Sequence, residues 1–172
     1  SKDQEIELIY KVNLKTEDPN FVPGKMYDTN GRTTLQPNSK STTIWDLPLP
    51  KISAPSISID ISKIWQNADG TVNPDSSESI QVKLQKKIVG EEDSQYIDDP
   101  LNGPKTLTKD GNWKQSYTNL IPFDNSGRVY EYRIIETSSN GNYSVLYEGN
   151  GGNRNVINRE VLEYDFVNTQ NE

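Results

Sequence analysis

The most constraining stretch of the sequence is residues 57–65, ISIDISKIW, because its alternation fits a β-strand and places a charge among apolar side chains. Side chains on a strand alternate between two faces, so Ile59, Ile61 and Trp65 share one face with Lys63. A lysine on a buried face is costly unless another group neutralises, pairs or consumes it. The fold of this chain therefore has to bring a partner to Lys63.

The rest of the sequence favours an all-β fold. Only 31% of the 172 residues are hydrophobic, and short apolar runs are separated by turn-forming Asn, Ser, Thr, Gly and Pro. No window shows a long 3.6-residue helical period. About seven short strands with these turns predict an immunoglobulin-like β-sandwich from residue 57 onward. The predicted strands lie at 57–65, 80–85, 113–120, 129–136 and 143–147, with final strands after the Gly149–Gly152 turn that end at Asn168.

The first 50 residues show a different sequence pattern from the rest of the chain. Residues 6–14 alternate as a strand, and a second short strand is predicted at 42–47, but the long polar stretch between them is rich in Pro and Gly. Two strands and a long loop are not stable alone. We therefore expect residues 1–50 to be a short β segment that packs on, or belongs to, a neighbouring domain. The proline-punctuated connector at 48–56 separates it from a domain at 57–172.

Charge and composition exclude several function classes. The net charge of −7 and the pI near 4.7 argue against a nucleic-acid partner and against an anionic membrane surface. The chain has no cysteine and no histidine, which excludes disulfides, thiolate catalysis, zinc fingers and histidine general bases. We expect no cofactor. The Asp and Asn residues near position 70 fit turns better than an EF-hand, so no metal site is predicted.

Two further strands each direct one polar residue toward the predicted core. Glu136 is in phase with the apolar residues Tyr132 and Ile134 of its strand. Asn168 is in phase with the apolar residues Leu162, Tyr164 and Phe166. Three such agreements arise by chance about one time in eight under strict alternation. One interpretation is a buried or rim ion pair between Lys63 and Glu136, with Asn168 at a strand end. In a second interpretation, the Lys63 side chain extends along the apolar surface and places its amine in solvent.

A third interpretation uses the chemistry of the three groups together. In an apolar site, burial favours the neutral amine of Lys63 and the protonated acid of Glu136. The amine is a nucleophile, the carboxamide of Asn168 is an electrophile, and Glu136 can shuttle protons as ammonia leaves. The product would be a Lys63–Asn168 amide that joins two strands about 100 residues apart, with Glu136 as the catalytic residue and no turnover enzyme involved.

Six short sequence motifs, taken in the order in which they occur, resemble the Cna B-type domain of Gram-positive surface proteins. They cover residues 57–170 and read SKIW at 62–65, IQVKL at 80–84, GNW at 111–113, YTNL at 117–120, YEYRIIE at 130–136 and FVNT at 166–169. In many such domains a lysine and an asparagine form an isopeptide bond assisted by an acidic residue. The resemblance places these roles on Lys63, Asn168 and Glu136. Residues 1–50 do not resemble this family, and no sortase sorting signal is recognisable.

The resemblance implies a structural stalk module of a cell-wall-associated adhesin or pilus, located outside the cell and important for virulence. Its partners would be neighbouring domains of the same surface protein or other pilin subunits. The alternative is a ligand-binding β-sandwich that recognises host matrix protein or carbohydrate. For that alternative Trp45, Trp65 and Trp113 are candidate stacking residues, although the phases of Trp65 and Trp113 favour the core.

Overall fold

The computed structural model describes residue 9 and residues 11–73, 78–138 and 141–162, and this part of the chain is built from β-strands. The only helical element among these residues is a short 3₁₀ helix at Asp93–Gln95. It is not long and apolar enough to cross a membrane. The strands are β1 Met26–Asp28, β2 Thr34–Leu35, β3 Trp45–Asp46, β4 Lys51–Ser53, β5 Ile57–Gln66, β6 Ile80–Ile88, β7 Ile97–Asp98, β8 Lys105–Leu107, β9 Lys114–Leu120, β10 Tyr130–Glu136, β11 Tyr143–Glu148 and β12 Asn153–Glu160.

Strands β5 to β12 form the two sheets of a sandwich. One sheet has the order β11-β12-β5-β9, and in the other β6 lies beside β10 and pairs along its opposite edge with β7 and β8. Pairing is antiparallel throughout except between β5 and β12, which run parallel. The first and the last described strands of the sandwich are therefore hydrogen-bonded neighbours.

The hydrophobic core lies between the two sheets. Alternate residues of β5 are buried, as the sequence pattern predicts, and they face alternate buried residues of β6 and β10. The core residues are Ile59, Ile61, Trp65, Ile80, Val82, Leu84, Leu107, Tyr117, Leu120, Tyr132, Ile134 and Val156. This core confirms the predicted immunoglobulin-like sandwich.

The last described strand returns from the glycine turn at residues 149–152, as the sequence pattern predicts. Strand β12 follows directly on the glycine turn and pairs with β11, so that Glu148 lies opposite Asn155. Gly149 makes this turn possible: its φ is +93°, and a Cβ there would lie 2.5 Å from the carbonyl oxygen of Asn153. Of the final strand predicted at 161–169, residues 163–169 lie outside the described residues, and 161–162 form no strand.

The segment before the sandwich forms two small two-stranded sheets, β1 with β4 and β2 with β3. The second contains Trp45, within the strand predicted at 42–47. Of the strand predicted at 6–14, residues 9 and 11–14 are described and form no strand.

This segment also contacts the sandwich through Asn125 in the β9–β10 loop. Asn125 accepts hydrogen bonds from the Thr16 hydroxyl at 3.3 Å and the Glu17 backbone N–H at 3.1 Å, and it donates one to the Glu17 carboxylate at 2.7 Å. The predicted short β segment is thus present and touches the sandwich.

Candidate functional site

Lys63 and Glu136 meet in the interior of the sandwich. Lys63 lies on β5 in one sheet and Glu136 ends β10 in the other, and both face inward as the alternation predicts. Lys63 Nζ is 3.7 Å from Glu136 Oε2, and the two side chains are 0% and 1% exposed. A pair of opposite charges this deeply buried gains little net stability, because the attraction must offset the loss of hydration of both ions.

Asn158 completes the group, although the sequence pattern does not predict it. It lies on β12, where it is buried at 1% exposure, and its Nδ2 donates a hydrogen bond of 3.0 Å to Glu136 Oε1. The parallel register places Val156 opposite Lys63 and Asn158 opposite Trp65. Lys63 and Asn158 therefore reach from adjacent strands of one sheet toward a single carboxyl group of the other.

Asn168, the acceptor predicted from the sequence, lies outside the described residues. A signal for Asn158 was available in the hairpin: a glycine turn after a good strand predicts a returning strand immediately beyond it. In that strand Val156 and Asn158 share a face. The pattern was weak because Val156 and Ile157 are its only apolar residues, and they are consecutive.

Aromatic rings close the site around the lysine. Lys63 Nζ lies 4.3 Å from the centroid of the Trp65 ring, within the range of a cation–π contact. The Trp65 ring in turn makes edge-on contacts with Trp113 at 5.8 Å and with Tyr143 at 5.0 Å. These rings keep water from the amine and lower the local dielectric constant.

Burial acts directly on the basicity of this amine. It lowers the pKa of Lys63 from 10.5 to about 8, against the opposing effect of the nearby Glu136 carboxylate. The 3.7 Å separation is longer than a hydrogen bond, so loss of hydration is the larger effect. The lysine is consequently much closer to its neutral, nucleophilic form than an exposed lysine.

The polar atoms of the site are not satisfied by hydrogen bonds within the described structure. Four buried side-chain atoms there have no hydrogen-bond partner, and three of them are Lys63 Nζ, Glu136 Oε2 and Asn158 Oδ1. Buried polar atoms are normally paired, so an unpaired group of three calls for a functional explanation. An amine, an acid and a carboxamide in a dry site are the reactants for amide formation.

A second buried lysine provides a useful contrast. Lys86 Nζ lies 3.4 Å from Asp99 Oδ1, with the side chains 11% and 3% exposed, and 4.6 Å from the centroid of the Tyr130 ring. The other oxygen of Asp99 accepts a 2.7 Å hydrogen bond from Asn102, which lies in a turn. Unlike Lys63, Lys86 is not among the buried atoms that lack a hydrogen-bond partner in the described structure.

The described residues offer little for other site types. They contain no cluster of three acidic side chains able to hold a metal ion. Asp69 instead accepts hydrogen bonds from Thr71 within a turn. Trp65 is buried and Trp113 packs against the core, whereas Trp45 is 53% exposed in the small β2–β3 sheet. Two of the three candidate stacking residues therefore belong to the interior.

The fold and the site together define an immunoglobulin-like sandwich in which the first and the last described strands carry a buried lysine and a buried asparagine around one acid. Residues 59–159 match the family model of the Cna protein B-type domain, which is more than half of the chain. The protein belongs to this family. Residues 1–53 match a second model, described as the Ig-like domain of the GBS104-like tip pilin.

Solved structures show the same fold. The pilus adhesin SpaC of Lactobacillus rhamnosus GG matches with 25% identity and a TM-score of 0.52, over 86% of this chain and 18% of that one. Its open conformation matches with 23% identity and a TM-score of 0.53, over 86% of this chain and 17% of that one. The present chain thus spans less than a fifth of SpaC. Comparison with curated protein sequences found no match.

Proposed function

We propose that this chain is a structural stalk module of a Gram-positive cell-surface adhesin or pilus subunit, stabilised by an autocatalytic isopeptide bond between Lys63 and Asn158. Glu136 is the catalytic residue of this single reaction. The observation that carries the proposal is the meeting of the three side chains in a dry site, with one carboxyl group facing both reactants. The surface location follows from the family and from the likeness to a pilus adhesin.

The two contacts of Glu136 fit the proton transfers of the reaction. Lys63 Nζ gives a proton to the adjacent Oε2 of Glu136, and the resulting amine attacks Cγ of Asn158. The nitrogen that must leave, Nδ2, already faces the other oxygen of Glu136. The protonated acid can therefore deliver a proton to Nδ2 as the C–N bond breaks. The attacking nitrogen loses its remaining extra proton to Glu136, which passes it to the departing ammonia. One C–N bond forms, one breaks, ammonia departs as ammonium, and the Glu136 carboxylate is regenerated.

The fold places the two reacting residues on adjacent strands. Holding two reactants in a productive arrangement lowers the barrier of an intramolecular reaction by about 7–11 kcal/mol. Here β5 and β12 are hydrogen-bonded neighbours over seven residue pairs. That register fixes both reactants before any bond forms.

A bond between positions 63 and 158 would stabilise the domain in two ways. It would remove loop entropy from the unfolded chain, worth about 4–5 kcal/mol for a loop of about 95 residues by analogy with a disulfide. It would also carry a pulling force from the first strand directly to the last strand. Unlike a disulfide, an amide resists reducing agents, which suits a stalk without cysteine.

We further propose that residues 1–50 are part of a separate Ig-like domain and that the sandwich begins near residue 57. The family match to residues 1–53 supports this division. The described part of that segment also exposes several large apolar side chains, which a complete domain would cover. They are Val22, Met26, Leu35, Ile44, Trp45, Leu47 and Leu49.

The intact mass of the purified protein tests the crosslink. We expect a mass below that of the sequence by one ammonia, and fragmentation should locate the missing mass in a branched peptide containing Lys63. A wild-type protein with its full sequence mass would exclude the reaction.

A further inference from the structure

Tyr147 contacts the site but is not one of the three residues Lys63, Glu136 and Asn158 that form it. It lies on β11, next to the strand that carries Asn158, and its hydroxyl accepts a hydrogen bond of 2.9 Å from the backbone N–H of Glu136. The contact crosses from one sheet to the other. Tyr147 thus ties the backbone of the acid to the sheet that holds both reactants.

This tie matters because Glu136 lies at a sheet edge. Within the described structure β10 pairs only with β6, so its other edge has no neighbouring strand. On the paired side, the next residue is fixed by a hydrogen bond of 2.8 Å from Thr137 N–H to Gln81 O. On the open side, the Glu136 N–H is held by the Tyr147 hydroxyl. The end of an edge strand would otherwise be free to shift with its N–H turned to water.

We infer that Tyr147 is a positioning residue for crosslink formation, which holds the Glu136 carboxyl at the distance that serves both Lys63 and Asn158. This inference rests on the proposed isopeptide reaction. The separation of the reacting groups depends on how the two sheets sit relative to each other, because the acid comes from one and the reactants from the other. A displacement of about 1 Å in such an arrangement costs about 100-fold in rate.

The chain itself offers a matched control in Tyr132. This residue is on the same strand as Glu136, and its hydroxyl also bonds a backbone group, the Ile121 carbonyl, at 2.7 Å. Tyr132 is buried, whereas Tyr147 is 47% exposed. Loss of the Tyr132 hydroxyl should therefore destabilise the fold at least as much, without touching the acid.

The test follows crosslinking in the full-length chain. Wild type, Tyr147→Phe and Tyr132→Phe are recovered unfolded from inclusion bodies and diluted from denaturant, and the linked fraction is followed by intact mass while tryptophan fluorescence reports folding. We expect Tyr147→Phe to fold normally and to crosslink about 10- to 100-fold more slowly. Tyr132→Phe should lower the melting temperature and keep the wild-type crosslinking rate once folded.

The outcomes separate the two proposals. A wild-type chain that never loses ammonia overturns the crosslink itself. A linked wild type with Tyr147→Phe reacting at an unchanged rate overturns only the role of Tyr147. Equal slowing in both variants would show a general effect of stability and would also overturn it. A shift in the pH dependence of the rate in Tyr147→Phe would indicate proton transfer by the phenol and contradict a purely positioning role.

Discussion

Asn158 and Glu136 are joined across the interior of the sandwich by a 3.0 Å hydrogen bond from Nδ2 to Oε1. This contact orients the carboxamide so that its nitrogen faces the acid. It is the observation that favours Asn158, on strand β12, as the acceptor of the proposed crosslink.

Asn158→Ala should abolish the loss of ammonia, because it removes the electrophile. We expect the full sequence mass and a fall of about 4–5 kcal/mol in the free energy of unfolding, from lost loop constraint. Intact mass and denaturant unfolding measure the two effects. The matched control is Asn168→Ala, which should keep the mass deficit. If the deficit survives in Asn158→Ala and disappears in Asn168→Ala, the acceptor is Asn168.

The sequence allowed prediction of the two residues whose strands alternate cleanly. Strands β5 and β10 carry apolar residues at every second position, so phase alone placed Lys63 and Glu136 inside. Strand β12 has no such alternation, because its three buried residues, 156–158, are consecutive in a strand that lies between β5 and β11. The burial of Asn158 depends on the sheet topology and on tertiary contacts, and a local sequence pattern carries no information about either. Tyr147 is likewise defined by a contact between sheets.

Glu136→Gln should leave the protein unlinked although the side chain keeps its size. The amide can neither take a proton from Lys63 nor deliver one to the departing nitrogen. Because Glu136 opposes the effect of burial, its loss lowers the pKa of Lys63 further and leaves a buried amine without a partner. Breaking a buried pair in this way costs about 3–5 kcal/mol, in addition to the lost crosslink. Intact mass and chemical denaturation test both parts.

The appropriate comparison for that variant is Lys63→Met combined with Glu136→Gln. This double variant is also unlinked, but it contains no unpartnered buried amine. It should therefore be more stable than Glu136→Gln alone. Equal stability of the two would show that the unpartnered Lys63 amine does not destabilise the unlinked protein.

Lys86→Met should destabilise the protein without changing its crosslink. The substitution leaves Asp99 buried without its cation, although Asn102 still donates to the carboxylate, so a loss of about 2–3 kcal/mol is expected. Intact mass should still be lower than the sequence mass by one ammonia. Restoration of the full sequence mass would identify Lys86 as the reacting lysine. Adding Asp99→Asn should recover part of the stability by removing the unpaired charge.

Residues 54–172 should fold and crosslink without the preceding segment, because Lys63, Glu136 and Asn158 all lie within the sandwich. The shortened chain loses the Asn125 hydrogen bonds with Thr16 and Glu17 and the backbone hydrogen bonds of Ala54 with Gly24 and Lys25. Each is worth about 0.5–1.5 kcal/mol. Intact mass and thermal melting of the two chains provide the comparison. A shortened chain that folds but keeps its full sequence mass would contradict the proposed division into domains.

The rate of crosslinking should fall as the pH rises above about 8. Lys63 and Glu136 share one proton, whether as ammonium with carboxylate or as amine with acid, so the amount of the reactive form does not change while that proton is retained. Because burial lowers the pKa of Lys63 to about 8, the pair loses the proton above this pH. The amine then faces a carboxylate, and no acid remains to protonate the departing nitrogen.

We therefore expect a constant rate from pH 6.5 to 7.5 and a decline approaching tenfold per pH unit above 8. Refolding of the full-length chain into buffers across this range, with the linked fraction measured by intact mass, gives the profile. Tryptophan fluorescence at each pH confirms that folding precedes the reaction. A simple amine nucleophile would behave in the opposite way, since its rate would rise tenfold per unit up to pH 8 and then level off. A rising profile would mean that the proton for the leaving nitrogen does not come from the Lys63–Glu136 pair.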